Sequence, residues 1–249
     1  MKKDFSQLKK DLNEFGIELT AEMEEKFLLY YNMLIEWNSF MNLTGITDFQ
    51  EVLQKHFEDS LALVRGVDLS AITSVMDVGT GAGFPGLPLK IAFPHLKVVL
   101  LDSLGKRVKF LNHVIEELQL DNITAIHGRA EDFAKEAEYR EQFDLVVSRA
   151  VANLSSLSEY CIPYTKVNGI FVSYKSGKIE EELEVRYVEG TLFAMAAMIP
   201  LLYRHRKNVI FPGLKISQMQ ETREYKLVAK YRIEAYKPEI DISELDITA

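Results

Sequence analysis

Asp77 to Lys90 reads DVGTGAGFPGLPLK and follows directly on the apolar run ITSVM, Ile72 to Met76. Glycines 79, 81, 83 and 86 and prolines 85 and 88 crowd this stretch. Residues without a Cβ let a backbone adopt positive φ and let a ligand approach closely, so the stretch reads as a binding turn after a strand. A literal G-x-G-x-x-G at Gly81, Gly83 and Gly86 points to a nicotinamide or flavin dinucleotide. The register argues against it. In that fingerprint the first glycine follows the strand at once, and here SVMDV runs straight into Gly79. Counted from Gly79, Phe84 stands where the third glycine belongs, and Pro85 and Pro88 stiffen the helix entry.

The surrounding pattern sets the fold class. Short apolar segments SVMDV, KVVLLD, NITAIHG, FDLVVS and GIFVSYK read as strands. Helical stretches at about Pro88–Phe93, Lys106–Leu118, Ala130–Ala137 and Asn153–Tyr164 alternate with them. Alternating β and α elements predict an α/β domain: a Rossmann-like parallel sheet with helices on both faces. REYKLVAKY is a candidate last strand. Upstream, Phe5, Leu8, Leu12 and Phe15 make one apolar helix face closed by Gly16. Thr20 is placed to cap a helix over roughly Ala21 to Asn38, and Thr47 with Gln50 reads as a capping box opening a third. The expected organisation is a helical extension over 1–70 and a ligand-binding domain over 71–249.

Composition narrows the class. The chain of 249 residues is 47% hydrophobic and 27% charged, enough for a substantial core. A single cysteine, Cys161, excludes an internal disulfide framework and suits a reducing cytoplasm. The lysines near the N-terminus lack the apolar run of a signal peptide, and Leu192–Leu202 is shorter than a bilayer span. No membrane partner is expected. A net charge of −8 argues mildly against nucleic acid, although a local basic face can coexist with it.

Asp77 lies two residues before Gly79, giving D-x-G-x-G-x-G, which resembles the first motif of S-adenosylmethionine-dependent methyltransferases of the Rossmann-like class. That cofactor has no pyrophosphate for a helix N-terminus to bind. Its amino-acid tail and sulfonium suit an acidic strand end and an open backbone. Asp102 ends KVVLLD about 20 residues on, where a carboxylate can accept from both ribose hydroxyls. HGRAEDF after the next strand is placed to read the adenine edge.

Taken together, DVGTGAGFPGLPLKI, DSLGKRVKFL, HGRAEDF and FDLVVSRAVANL resemble the glucose-inhibited division protein B family, as do WNSFMNLTGIT and KHFEDSL upstream. The resemblance spans roughly Leu28 to Glu182. It implies methyl transfer to N7 of a guanine in small-subunit (16S) ribosomal RNA, with that RNA or the assembled subunit as partner. It implies cofactor contacts from Gly79, Gly81, Phe84, Ala130, Glu131 and Arg149. Phe84 also has a plain reading as a core aromatic, and an Arg149 guanidinium at a strand end needs a partner. N7 carries a lone pair at neutral pH, so no general base, catalytic side chain or metal is called for. Asn42, His56 and Asp59 are the polar candidates for guanine, with turn, cap or core roles as their alternatives. Lys106, Arg107 and Lys109 are placed to neutralise phosphates, or to form a solvated face.

Past Glu184 the resemblance fades, and the chain is atypical from about residue 185. The segment after it, TLFAMAAMIPLLYRHRKNVIFPG, matches no recognised pattern. Residues 231–249 hold two basic and five acidic residues, a balance of −3, where the family ends in a basic tail. This leaves open a small-molecule or protein acceptor, or an RNA-binding module without catalysis; the basic run Arg204 to Lys207 offsets it in part.

Overall fold

The computed structural model describes residues 3–149, 154–175 and 226–232. The apolar segment Leu192–Leu202, the basic run at Arg204 and the acidic tail after Arg232 lie outside the described residues.

Two helices open the chain. α1 (Ser6–Glu14) buries Leu8 and Leu12, and Gly16 follows it at φ 77°. α2 (Ala21–Met41) starts where expected: Thr20 Oγ1 accepts the Met23 N–H at 3.2 Å, with Glu22 and Glu24 favourable in the first turn. It runs past Asn38 to a left-handed cap at Asn42, φ 54°. The Asn38 carboxamide oxygen accepts the N–H groups of Leu43 and Thr44 at 2.6 and 2.8 Å, which secures the exit.

The third helical segment departs from expectation. Asp48, not Thr47, is its cap, and its carboxylate accepts from the N–H groups of Gln50 and Glu51. A carboxylate also complements the helix dipole, which a hydroxyl does less well. α3 (Phe49–Val52) then widens into a π-helical turn, Leu53–Glu58, before α4 (Asp59–Leu61) and a 3-10 turn at Ala62–Arg65. A π turn carries an extra residue, so it shifts which side chains face inward. Periodicity alone did not reveal this.

The sheet follows the predicted strands closely. β1 (Ser74–Val78), β2 (Lys97–Asp102), β3 (Ile123–His127), β4 (Phe143–Arg149) and β5 (Thr165–Lys175) are parallel, and β6 (Lys226–Arg232) is antiparallel to β5. Between them lie α5 (Gly86–Ala92), α6 (Gly105–Glu117), α7 (Ala130–Phe133) and α8 (Leu154–Cys161). α7 is shorter than the sequence pattern suggested. The order β3-β2-β1-β4-β5-β6 places β2 and β4 on either side of β1. The chain therefore reverses its direction of strand addition there, and a crevice opens at the carboxyl ends of β1 and β4.

Both faces of the sheet are covered. Val75, Leu100, Leu145 and Val147 face one core, Met76, Val78, Leu101 and Val146 the other, as the two-residue period of a strand requires. The first core also takes Leu12 of α1, Phe27 and Leu34 of α2 and Phe57 of the π turn. The amino-terminal helices thus share one continuous apolar core with the sheet.

At the amino-terminal end of β4, one carboxylate gathers five donors. Asp144 Oδ2 accepts from the N–H and hydroxyl of both Thr73 and Ser74, at 2.6–3.1 Å, and Oδ1 accepts from Lys166 Nζ at 2.8 Å. Partial burial opposes ionisation, but Lys166 and the two hydroxyls outweigh it and hold the Asp144 carboxyl well below the usual range. A depressed folded-state pKa stabilises above the unfolded value, near ~4, and the gain is lost as pH falls through the folded pKa. Asp144→Asn is expected to lower stability at pH 7 by about 1–3 kcal/mol. It should also flatten the loss below pH ~4, read from urea midpoints at stepped pH.

Candidate functional site

The turn after β1 is held from three sides. Gly79, Gly81 and Gly83 have φ of 69°, 63° and 102°, a region where side chains are strained. The N–H groups of Gly79 and Thr80 donate to Leu101 O at 2.8 and 3.1 Å, binding the turn to β2. Gly81 N–H donates to Asp102 Oδ2 at 2.9 Å, and Leu104 N–H donates to Asp102 Oδ1 at 2.8 Å. From the helical layer, the Tyr30 hydroxyl donates to Ala82 O at 2.5 Å. A Cβ on Gly83 would meet that hydroxyl and the Leu87 side chain, whereas the Cβ position of Gly81 faces open space. An open, positive-φ backbone at Gly81 next to Gly79 fits the close approach that the cofactor's tail requires.

Asp77 does something other than expected. It is fully buried, and its Oδ2 accepts from Thr80 Oγ1 at 2.7 Å and Gly86 N–H at 2.8 Å. Its carboxylate organises the loop from behind and does not reach the ligand side. Gly86 has no room for a side chain, because a Cβ would run into Leu100 and Asp77. Asp102 is likewise 2% exposed, and both of its oxygens already hold loop or helix N–H groups; Arg107 Nη1 adds a longer contact at 3.5 Å.

Beside the loop lies a cavity of about 260 Å³ at the carboxyl ends of three strands. Val78 and Gly79 come from β1 and its turn, Leu101 and Ser103 from β2 and its exit, and Gly128 to Glu131 from the β3 exit and α7. Tyr160 of α8 completes the lining. The volume falls just short of typical small-molecule sites, at about 300–1,000 Å³, so it suits one part of a larger ligand. Flat apolar walls from Val78, Leu101 and Ala130 with an exposed Glu131 at the rim suit a purine. Of the sequence candidates, Gly79, Ala130 and Glu131 meet here.

A second group meets where β4 ends. Arg149 Nη1 donates to Asp59 Oδ2 at 2.9 Å, and its guanidinium lies 4.9 Å from the ring centroid of Phe84. Phe84 is buried, stacked on His56 (4.5 Å between centroids) and on Tyr30 (5.4 Å). The structure therefore places Phe84 in an aromatic stack rather than in the cavity lining, and turns Arg149 toward the helical layer. His56 Nδ1 lies 3.3 Å from Arg149 Nη2 and 3.1 Å from Lys55 O, and its Nε2 is hydrogen-bonded to Thr44 Oγ1 at 2.8 Å. Burial, reinforced by Arg149, lowers the His56 pKa to about 4, so the ring is neutral at physiological pH. Burial pushes the Asp59 carboxyl up, and Arg149 opposes it. His56, Asp59, Phe84 and Arg149 are thus one cluster, built by the π turn against β4. Asn42 belongs to neither group; it is an exposed left-handed cap.

Tyr30 is the functional residue that the sequence did not reveal. It lies on an apolar helix face with no motif around it, and only the packing of α2 on the loop gives its hydroxyl a task. Tyr30→Phe is expected to keep the fold, lower stability by about 1 kcal/mol and weaken S-adenosylmethionine binding severalfold by calorimetry. Asp77 supplies a second test. Burial raises its pKa to about 6, against the opposing bonds from Thr80 and Gly86. With the folded pKa above the unfolded one, stability is present below pH ~4 and is lost as pH rises toward 6. Asp77→Asn keeps an acceptor for both donors and removes that titration. Its unfolding free energy should fall less between pH ~4 and 6 than the native protein's does, read from urea midpoints at stepped pH.

The chain has close sequence relatives. Residues 23–210 match the GidB family, rRNA small subunit methyltransferase G. The match extends past residue 184, where the resemblance was expected to fade, and starts before Leu28. Ribosomal RNA small subunit methyltransferase G of Lachnoclostridium phytofermentans is 55% identical over 182 residues, 73% of this chain and 75% of that one. The Brevibacillus brevis protein of the same name is 53% identical over 168 residues, 68% and 71% of the two chains. Among solved structures, the O-methyltransferase from Bacillus cereus in complex with SAH matches with a TM-score of 0.52 at 15% identity, over 92% of this chain and 98% of that one. That likeness concerns the fold, and the sequence relatives carry the rest: the chain belongs to the rRNA small subunit methyltransferase G family and is a methyltransferase of the α/β Rossmann-like class.

Proposed function

We propose that the protein transfers the methyl group of S-adenosylmethionine to N7 of a guanine in 16S ribosomal RNA, acting in the cytoplasm. The observation that carries this reading is the cavity between Gly79 and Glu131 at the carboxyl ends of β1, β2 and β3, in a chain of this family. Bound there, the cofactor supplies an electrophilic methyl on a sulfonium.

The residues divide the work. Gly79 and Gly81 offer backbone to the cofactor's amino-acid tail, while Ala130 and Glu131 take the adenine side. Asp102 fixes the turn through Gly81 N–H and is the residue assigned to the ribose. The helical extension forms the acceptor-side wall, with His56 and Asp59 as its polar part, Arg149 of β4 against them and Arg107 at the phosphate side. A lone pair at N7 attacks without losing a proton, so the protein's task is alignment and exclusion of water. The cluster suits that task. His56 is uncharged and its Nε2 is hydrogen-bonded to Thr44, while Arg149 is held by Asp59. These groups present fixed dipoles to a base taken out of its stack.

The test is radiolabelled methyl transfer onto small subunits from cells lacking this activity. The label should co-migrate with 7-methylguanosine after nuclease digestion. Label on another nucleoside, on protein, or nowhere would overturn the assignment.

A further inference from the structure

α6 carries its charges against its own dipole. Lys106, Arg107 and Lys109 occupy its amino-terminal turns, Glu116 and Glu117 its carboxyl end, and Leu104 at the N-cap supplies no side-chain cap. Cations at the positive end of a helix are unfavourable for the isolated fold. Arg107 approaches Asp102, but among the described residues Lys106 and Lys109 form no ion pair, and both are exposed. An arrangement that does not serve the helix suits an anion brought from outside.

The end of α2 packs on the same stripe of α6. Lys106, Lys109, Phe110 and His113 share one face by helical spacing. Trp37 stacks on His113 at 5.2 Å and 27°, and lies 5.5 Å from Phe110. Phe40, 5.7 Å from Trp37, is 68% exposed, well above the other exposed large hydrophobic side chains among the described residues. An aromatic ring propped by a second stack, on a helix that packs against the lysine-bearing face of α6, suits a base with its phosphates on the basic side. A protein partner is a poorer fit, because interface cores are depleted in lysine. The stripe is also continuous with the cavity rim, since Ser103 lines the cavity three residues before Lys106.

We propose that Phe40, propped by Trp37, and the lysines at 106 and 109 grip an unpaired stretch of the RNA substrate beside the methylation site, one base stacking on Phe40. This rests on the RNA-methylating function proposed above. Sedimentation binding and steady-state methylation with unmodified small subunits test it in Phe40→Ala, Phe40→Trp and the double variant Lys106→Gln, Lys109→Gln. Phe40→Ala should raise KM for subunits on the order of tenfold. Its kcat at saturating subunits and its cofactor affinity should stay unchanged, and Phe40→Trp should restore KM. The lysine variant should reduce the slope of log affinity against log salt by roughly 1.4. Native KM in Phe40→Ala would overturn the proposal. An unchanged salt slope alongside weakened Phe40→Ala would indicate a protein contact and overturn the RNA assignment. If the native chain binds cofactor but neither binds nor methylates subunits, the proposed function fails, and this proposal with it.

Discussion

The hydrogen bond from Gly81 N–H to the buried Asp102 carboxylate ties the turn after β1 to the end of β2, and most of the site depends on that tie. A turn with three positive-φ glycines is flexible in an unfolded chain and must lose that freedom on folding. Leu101 O, Asp102, Asp77 and Tyr30 each remove part of it, from the neighbouring strand, from behind and from the helical layer. What remains uncovered is the backbone face at Gly79 and Gly81. Binding surface here is the portion of a tightly held turn that no side chain occupies.

The helical layer is part of the site rather than an accessory to it. Tyr30, His56, Phe57 and Phe84 stack in one run from α2 through the π turn to the glycine turn. Arg149 closes this run from β4 by its pair with Asp59. An ion pair this deep gains little net stability over an apolar replacement, yet breaking it leaves a buried charge. Its worth lies in position: it joins the strand end to the helical wall in one geometry.

Much of this was legible in advance, for a local reason. Strands β1 and β2 fall on the predicted segments because alternating or continuous burial leaves its period in the residues themselves. The register of the glycines relative to SVMDV separates a methyl-donor turn from a dinucleotide turn in the sequence itself. The misses are those where one residue type serves two purposes. Thr47 and Asp48 are both good caps, and the carboxylate's better match to the helix dipole selects Asp48. Asp77 looks like a ligand residue by its place at a strand end, and its inward orientation only shows once β1 is seen buried on both faces.

By itself the sequence determined the alternating α/β order, the strand that feeds the glycine turn, and the family to which both belong. These are properties of spacing along one chain, and spacing survives without a third dimension. The tertiary structure decided which side chains meet. Tyr30 and Ala82 are 52 residues apart, Arg149 and Asp59 are 90 apart, and a π turn sets the rotation that brings the second pair together. No local pattern encodes such contacts, because they follow from how two layers distant in sequence bury a common apolar core.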